Sequence, residues 1–429
     1  MGKRSHARVA IIGAGVVGIA IALRLQSNGF DATLVDYAEP GTGCSAGNAG
    51  VIASSFILPL SSFSHIVGAP RMLLDKDAPL SIPPKHLVEY APWLMSFAAN
   101  ALPKRRRHSI DALKFLNGRS LEAWHRLIGP KLADEFIRQT GMLDIVAKGG
   151  SCAGLRSNAA QLVVEGIAID ELNADDAEAL EPALKGQLAG ANFHRDVAHV
   201  TDPLLLSRAM VARFLEEGGC IEKVEVHSVL PTKEGVELQT SRGALRFASA
   251  VIAAGWWSSG LVKPLGLQAP LRAERGYHAM LPASGIALKR PVSFHEESFL
   301  ATPMSGGLRL AGTVELSPPN AKPNWLRSDG LLRLARRYLP DLVDDGQTNW
   351  YGSRPSFADS LPAIGVVRGA SQILYAFGHQ HLGLTQAAVS ADLIHQLIRG
   401  AMPENIQVFS LERFGRTPMY SSNQMAKAA

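Results

Sequence analysis

Cysteine is scarce in this 429-residue chain: three residues, Cys44, Cys152 and Cys220, odd in number and far apart. That spacing supports neither a disulfide framework nor a thiolate metal site, and it fits a reducing, cytoplasmic compartment. No stretch reaches the ~20 uninterrupted apolar residues that a membrane span needs. The basic start from Met1 to Arg8, ahead of an apolar run, imitates a secretory leader; the glycines and the acid that follow, and the lack of a cleavage pattern, argue against one. A strong charge bias is missing too. The formal charge is +5 and the lysines and arginines are mostly scattered, so nucleic acid is not indicated. The exception is Lys104-Arg105-Arg106-Arg107, which reads as a solvated helix end, with a membrane-surface or partner contact as the alternative. Internal repeats and low-complexity segments are absent.

Apolar residues make up 47% of the chain, enough at this length for more than one core. Val9-Ala10-Ile11-Ile12 is an apolar, β-branched run that breaks into Gly13-Ala14-Gly15-Val16-Val17-Gly18 and then into a helical pattern through Ile19, Leu23 and Leu25. In such a turn Gly13 permits the tight exit from the strand, Gly15 lets a pyrophosphate approach the backbone, and Gly18 lets the helix pack closely. The phosphates then meet a helix N-terminus. A second strand, Ala32 to Val35, delivers Asp36 about twenty residues beyond the glycines, where a carboxylate can accept from a ribose hydroxyl. Strand, glycine turn, helix, second strand and acid together predict a dinucleotide site.

From Ser54 to Leu102 prolines punctuate short apolar pieces, among them Phe56-Ile57-Leu58-Pro59, Ala78-Pro79-Leu80 and Tyr90-Ala91-Pro92-Trp93. No single long helix is expected there, and the segment reads as an insertion leaving the first domain. Helical periodicity returns over Ile110 to Ile137, Met142 to Val146 reads as a strand, and the acidic stretch Asp170 to Leu184 as an exposed helix. Asp202 is the expected N-cap of an amphipathic helix over Leu204 to Glu217, with Gly218-Gly219 as its stop. Strands are expected around Ile221 to Val229, Val236 to Thr240 and Ala248 to Ala254. Gly306-Gly307 is a hairpin turn inside a strand-rich region, Pro270 to Glu315. A last strand, Leu374 to Phe377, runs through Gly378 into a helix over Thr385 to Ile398. This alternation belongs to a parallel or mixed α/β sheet.

Strand-to-glycine elements near Gly13, Gly255 and Gly378 exceed what one nicotinamide domain needs. Further pieces are Ser45-Ala46-Gly47-Asn48-Ala49-Gly50, Val251-Ile252-Ala253-Ala254-Gly255-Trp256-Trp257-Ser258, Arg275-Gly276-Tyr277, Gly352-Ser353-Arg354-Pro355 and Gly378-His379-Gln380-His381-Leu382-Gly383-Leu384-Thr385. With them the chain resembles, over nearly its whole length, the FAD-dependent D-amino acid oxidase superfamily, and within it the bacterial D-amino acid dehydrogenases. The resemblance implies an α/β fold: a Rossmann-like FAD-binding domain (1–60, 196–262 and 348–429) with an interleaved α+β substrate domain (61–195 and 263–347).

The resemblance also implies roles. Ser45, Asn48, Ala49 and Gly50 would run beside the pyrophosphate and flavin, Val226 would touch the adenine side through its backbone, and Ala254 and Gly255 would follow the second glycine strand. Gly378, Leu382, Gly383, Leu384 and Thr385 would meet the flavin pyrimidine edge, where helix N-terminal amides stabilise charge on the reduced ring. Arg354 would grip the substrate carboxylate, since a planar guanidinium makes two parallel charge-assisted bonds to it. Tyr277, His379 and His381 are further catalytic candidates, with packing as the alternative for the tyrosine and backbone satisfaction for the histidines. No cysteine follows Cys220 to tether a flavin, so FAD is expected to be noncovalent; no metal is expected. The implied reaction is dehydrogenation of a D-amino acid, D-proline or hydroxy-D-proline first, by hydride transfer from Cα to flavin N5. A glycine or sarcosine oxidase and an FAD-bearing electron-relay subunit are the alternatives. The electron acceptor (a quinone, an electron-transfer protein or oxygen) and any peripheral membrane contact stay open.

Overall fold

The structure, a computed structural model, describes residues 7–62, 66 and 80–415. The basic residues before Ala7 and the Ala78-Pro79 break lie outside them. In chain order the elements that position the site are β1 (Arg8–Ile12), α1 (Val16–Gln26), β2 (Asp31–Asp36), α2 (Leu87–Asn100), α3 (Pro103–Asn117), α4 (Ser120–Phe136), α5 (Pro203–Glu216), β3 (Cys220–Lys223), β4 (Ser249–Ile252), β5 (Arg272–Leu281), β6 (Thr348–Ser356), β7 (Ala363–Val367), β8 (Ala370–Phe377) and α6 (Gly383–Ile398).

A six-stranded sheet in the order β3-β2-β1-β4-β8-β7 forms the first layer, parallel except for the β7–β8 pair. Both of its faces are covered, which is why its strands read as continuous apolar runs. Val9, Ile11, Val251 and Leu374 face the core shared with α1 and α6, whereas Ala10, Ile12, Ile252 and Tyr375 face a second core beneath the other side. Asp202 caps α5 as expected, its Oδ1 accepting from the Leu204 and Leu205 amides at 2.8 and 2.9 Å.

The second layer is a ten-stranded sheet in which β5 pairs with β6. Here the expected division of the chain needs correction. Residues 348–356, assigned from sequence to the FAD domain, are β6 and pair with β5 in continuous register from Met280↔Thr348 to Arg272↔Ser356. Conversely α3 and α4, assigned to the substrate domain, bury Leu113, Leu116, Trp124 and Leu127 in the core of the first sheet. Burial of an apolar helix face, not position along the chain, decides which layer a segment joins.

Smaller differences have local causes. The helical pattern from Ile110 to Ile137 breaks into α3 and α4, and α4 kinks where Gly129 turns left-handed (φ 72°) before Pro130. The acidic stretch begins as a strand, Ile169–Asn173, and turns helical only after Asn173, whose side chain caps the Asp176 amide at 2.9 Å. The run from Ile221 to Val229 splits into β3 and a strand Val226–Thr232 of a separate three-stranded sheet. Of the basic cluster, Arg106 meets Gln161 and Arg107 meets Asp111 and Glu165, while Lys104 and Arg105 are exposed on the first turn of α3. Among the described residues no helix is long and apolar enough to cross a membrane.

Candidate active site

The first glycine turn is built for close backbone approach. Gly13 has φ 104°, and a Cβ there would lie 2.5 Å from the Ala253 carbonyl oxygen. At Gly18 a Cβ would run into the Gly13 carbonyl, so the helix rests directly on the turn. Gly15 is the N-cap of α1 and offers no side chain; instead Ser45, from the loop after β2, accepts from the Val16 amide at 2.8 Å. Asp36 closes the turn, its Oδ2 accepting from the Ala14 amide at 2.7 Å and its Oδ1 from the Ala38 amide at 2.9 Å. Each oxygen keeps a lone pair for another donor. Ala14, Val16 and Val17 thus stand at an open helix N-terminus next to an acid, an arrangement that fits a dinucleotide pyrophosphate and ribose.

The other glycine elements lie at the same carboxyl edge of the sheet, where α/β folds bind ligands. Ala254 and Gly255 follow β4, Gly255 in a left-handed conformation (φ 55°) with open space above its Cα. Beside them Trp257 and Tyr37, both more than half exposed, meet edge to face at 6.2 Å. Val226 starts its strand just after β3, whose Lys223 lies in register with Asp36. Gly378 packs its Cα on the Phe357 ring, and no side chain caps α6 at Leu382, leaving the backbone of Gly383 and Leu384 at that helix start. The Thr385 hydroxyl accepts from the Ala53 amide at 3.0 Å and donates to the Val51 carbonyl at 3.3 Å, so its side chain ties α6 to the segment after the Ser45–Gly50 loop.

That loop is clamped from the second sheet by residues the sequence reading did not single out. Arg309 donates to the carbonyls of Ala46 (3.1 Å) and Asn48 (2.6 Å), and His278 Nδ1 lies 3.2 Å from the Gly47 carbonyl. A carbonyl only accepts, so His278 carries its hydrogen on Nδ1. Burial pushes His278 down to about 3, with Arg309 adding to the effect, and burial pushes Arg309 down to about 10. His278 stacks on Trp350 at 5.2 Å, and the indole fills the space above Gly47. Asn48 Oδ1 accepts from the Gly50 amide at 2.8 Å, and Gly50 (φ 78°) passes under Met304, with Ala49 between them. The one sequence signal for this clamp is the alternation Glu274, Gly276, His278 along β5, polar where a buried strand would be apolar.

Arg354 sits on β6 opposite Glu274, and its guanidinium lies flat over Gly276. It lies deep in the molecule yet keeps part of its surface open. Burial lowers its pKa, opposed by Glu274 and then Cys44; the Cys44 thiol itself donates to the Ser353 carbonyl at 3.0 Å. Among the described residues the guanidinium makes no hydrogen bond and no ion pair within 4.0 Å. Five N–H donors are left for a ligand.

Of the other catalytic candidates, one shares this face. His381 is half-buried near Arg354 and is held neutral, pushed down to about 4 by burial and then by the arginine's charge. His379 is turned away: it is 5% exposed, its Nε2 lies 2.9 Å from Ser390 Oγ on α6, and burial pushes it down to about 3. Tyr277 is corrected by strand parity. Successive side chains alternate faces, so Tyr277 points away from Arg354. It is 1% exposed, donates to Glu315 Oε2 at 3.1 Å and accepts from the Asn324 amide at 2.9 Å, which makes it an internal anchor.

A glycine-cradled helix N-terminus with its acid, two more strand-end glycine turns and a free buried arginine define a flavin-type oxidoreductase rather than a simple nucleotide carrier. The chain belongs to the DAO family of FAD dependent oxidoreductases, whose family model matches residues 8–397. A D-amino-acid oxidase of Bradyrhizobium diazoefficiens is 31% identical over 419 residues, covering 95% of this chain and 98% of that protein. D-amino acid dehydrogenase 2 of Pseudomonas aeruginosa is 30% identical over 426 residues, covering 94% and 97%. The solved glycine oxidase of Geobacillus kaustophilus shares the fold, with a TM-score of 0.71 at 21% identity over 95% of this chain and 99% of that one. The L-proline dehydrogenase of P. horikoshii also has a TM-score of 0.71, at 17% identity over 95% and 98%.

Proposed function

We propose that this enzyme dehydrogenates a D-amino acid at Cα, with Arg354 binding the substrate carboxylate. FAD, when bound, supplies the hydride acceptor. In this reading the backbone from Gly13 to Gly18 and the Asp36 carboxylate hold its pyrophosphate and ribose, Ser45 to Gly50 line it, and the start of α6 from Leu382 to Thr385 faces its ring. The observation that carries the proposal is the Arg354 guanidinium: deep, partly open, and without a protein acceptor among the described residues. A bidentate bond there fixes the carboxylate plane, and fixing it orients Cα–H, which is a large share of catalysis in hydride transfer. His381, neutral beside the arginine, does not compete for the anion. The clamp is shared by all α-amino acids, so it does not choose among them. The likeness of Trp350 to Thr385 to members acting on D-proline or hydroxy-D-proline makes those the first substrates in this reading. For peripheral membrane contact the supporting features are the exposed Lys104 and Arg105 at the start of α3, the exposed Leu102 before them, and the exposed Val88 and Met95 on α2.

The test is anaerobic mixing of the holoenzyme with a panel of D- and L-amino acids, glycine and sarcosine while the flavin absorbance is followed. D-amino acids should bleach it and L-isomers should not, with D-proline and hydroxy-D-proline fastest. Bleaching by glycine or sarcosine alone moves the reading to a glycine-type oxidase, and none at all to an electron-relay subunit. Arg354→Ala should keep FAD yet lose reduction, and Arg354→Lys should recover only part, because an ammonium does not fix a carboxylate plane. Reoxidation by oxygen, by a quinone or by an electron-transfer protein then identifies the acceptor.

A further inference from the structure

We propose that Glu274 sets the specificity of the Arg354 clamp: it repels simple carboxylates and receives the cationic amine of an amino acid whose carboxylate is held by Arg354. The inference rests on the reading of Arg354 as the substrate clamp. Glu274 and Arg354 are directly opposed in the β5–β6 ladder and so lie on one face of the sheet. Glu274 is 4% exposed; its Oε2 has no partner within hydrogen-bond geometry, although the Ser356 hydroxyl, also without one, lies close enough to favour its charged form. Yet Glu274 and Arg354 do not close into an ion pair within 4.0 Å among the described residues, because the guanidinium bends over Gly276 instead. Gly276 is one pleat repeat along the strand from Glu274, about 6–7 Å. The Glu274 carboxyl and the Arg354 guanidinium thus share one face of the sheet without closing on each other, a cation acceptor and an anion donor for the two ends of one α-amino acid.

The electrostatics follow from counting charges. A simple carboxylate brings a second anion toward Glu274 with one cation between them, and like charges at low dielectric repel strongly. A zwitterion brings its own cation and meets an acceptor already in place. The charged and titratable groups around Glu274 are Arg354 from β6, Tyr90 from α2, and Arg272 and Arg275 on its own strand; His381 and Cys44 lie beyond Arg354. Leu316 is its neighbour on the other side, and Arg275 is taken up on the opposite face by Glu315 at 3.4 Å. Burial pushes the Glu274 carboxyl up, with Arg354 and then Ser356 opposing, so acid relieves the repulsion by protonating it.

Isobutyrate and α-aminoisobutyrate test this on the holoenzyme. They differ by the amine alone, and neither carries a Cα–H together with an amine, so both can be titrated against the flavin absorbance without turnover. Wild type should bind α-aminoisobutyrate at least about tenfold tighter at pH 8, and isobutyrate should tighten as the pH is lowered and Glu274 is protonated. In Glu274→Gln isobutyrate should tighten about tenfold, the preference should collapse toward unity, and the pH dependence should vanish. His381, pushed down to about 4, is neutral at pH 8 and does not set the preference there. An unchanged preference in Glu274→Gln overturns the proposal. Should that variant lose its fold or FAD, the wild type decides alone: equal affinity for isobutyrate and α-aminoisobutyrate overturns it. If Arg354→Ala leaves both affinities unchanged, the clamp itself fails; if Arg354→Ala abolishes both while Glu274→Gln changes nothing, only the role of Glu274 falls.

Discussion

Gly276→Ala perturbs the clamp without altering a single functional group. A Cβ at this position would lie 2.5 Å from Cζ and 2.9 Å from Nε of Arg354. Ordinary carbon contacts are about 3.5–4.0 Å, so the guanidinium must withdraw by roughly 1 Å. The backbone raises no objection, because Gly276 is in an extended strand and is not among the residues with positive φ. The atoms that must move are also the far end of a flexible side chain, so the fold should absorb the change: flavin content should be full and Tm within a few degrees of wild type. The substrate does not share that freedom. Moving the fork away from one of its two carboxylate bonds loses a charge-assisted hydrogen bond, about 1.5–3 kcal/mol. That corresponds to a fall in kcat/KM of roughly ten- to a hundredfold. Steady-state rates with the best D-amino acid and an artificial acceptor, measured beside flavin content, provide the assay. A double-mutant cycle isolates the cause: on an Arg354→Ala background Gly276→Ala should cost nothing further, since no guanidinium remains to displace. Wild-type kcat/KM in a well-folded Gly276→Ala protein would show that Arg354 is not held over Gly276 for a ligand, and the substrate reading would lose its geometric support.

Other outcomes follow from the same geometry. Asp36→Ala removes the acceptor of the Ala14 and Ala38 amides along with the expected ribose contact, and should cost about 1–3 kcal/mol of FAD affinity, read by titrating apoprotein with FAD; an unchanged Kd removes Asp36 from the site. Acid precipitation should release all the yellow colour into the supernatant, and flavin left in the pellet would contradict noncovalent binding. Buried neutral histidines predict acid sensitivity. His199 (about 4), His278 (about 3) and His379 (about 3) stay unprotonated in the fold, whereas the unfolded chain takes up protons near pH 6.5. Their contribution is therefore fully present above pH 6.5 and is lost as pH falls toward those lower values, by at most about 1.4 kcal/mol per pH unit for each. Thermal melts between pH 7.5 and 5 should show a falling Tm, and a flat profile would refute the assignment.

The parts of the site that were legible in the sequence are those whose function is local backbone geometry. The turn from Gly13 to Gly18 and the acid at the end of β2 sit within one β-α-β unit, and a left-handed Gly13 pressed on Ala253 leaves no freedom about residue type. The Asp202 cap and the Gly306-Gly307 hairpin were legible for the same reason. Arg354 could be named from its motif, but neither its open fork nor the glycine beneath it could. His278, Arg309 and Trp350, which hold the Ser45–Gly50 loop, carry no local signature beyond the polar alternation along β5; their role exists only because the second sheet packs on residues 46 to 50.

By itself, then, the sequence determined the glycine turn with its acid and the placing of the strongly patterned strands and helices, since each depends on dihedral preference or periodicity within a few residues. Tertiary structure alone decided which side chains meet. The β5–β6 register brings Arg354 across from Glu274, eighty positions away along the chain, and the same two-residue pleat turns Tyr277 to the opposite face. It also gave β6 to the second sheet and α3 and α4 to the first. Strand parity and face burial are settled by partners distant in sequence, and a shift of one residue in register would exchange every one of these contacts.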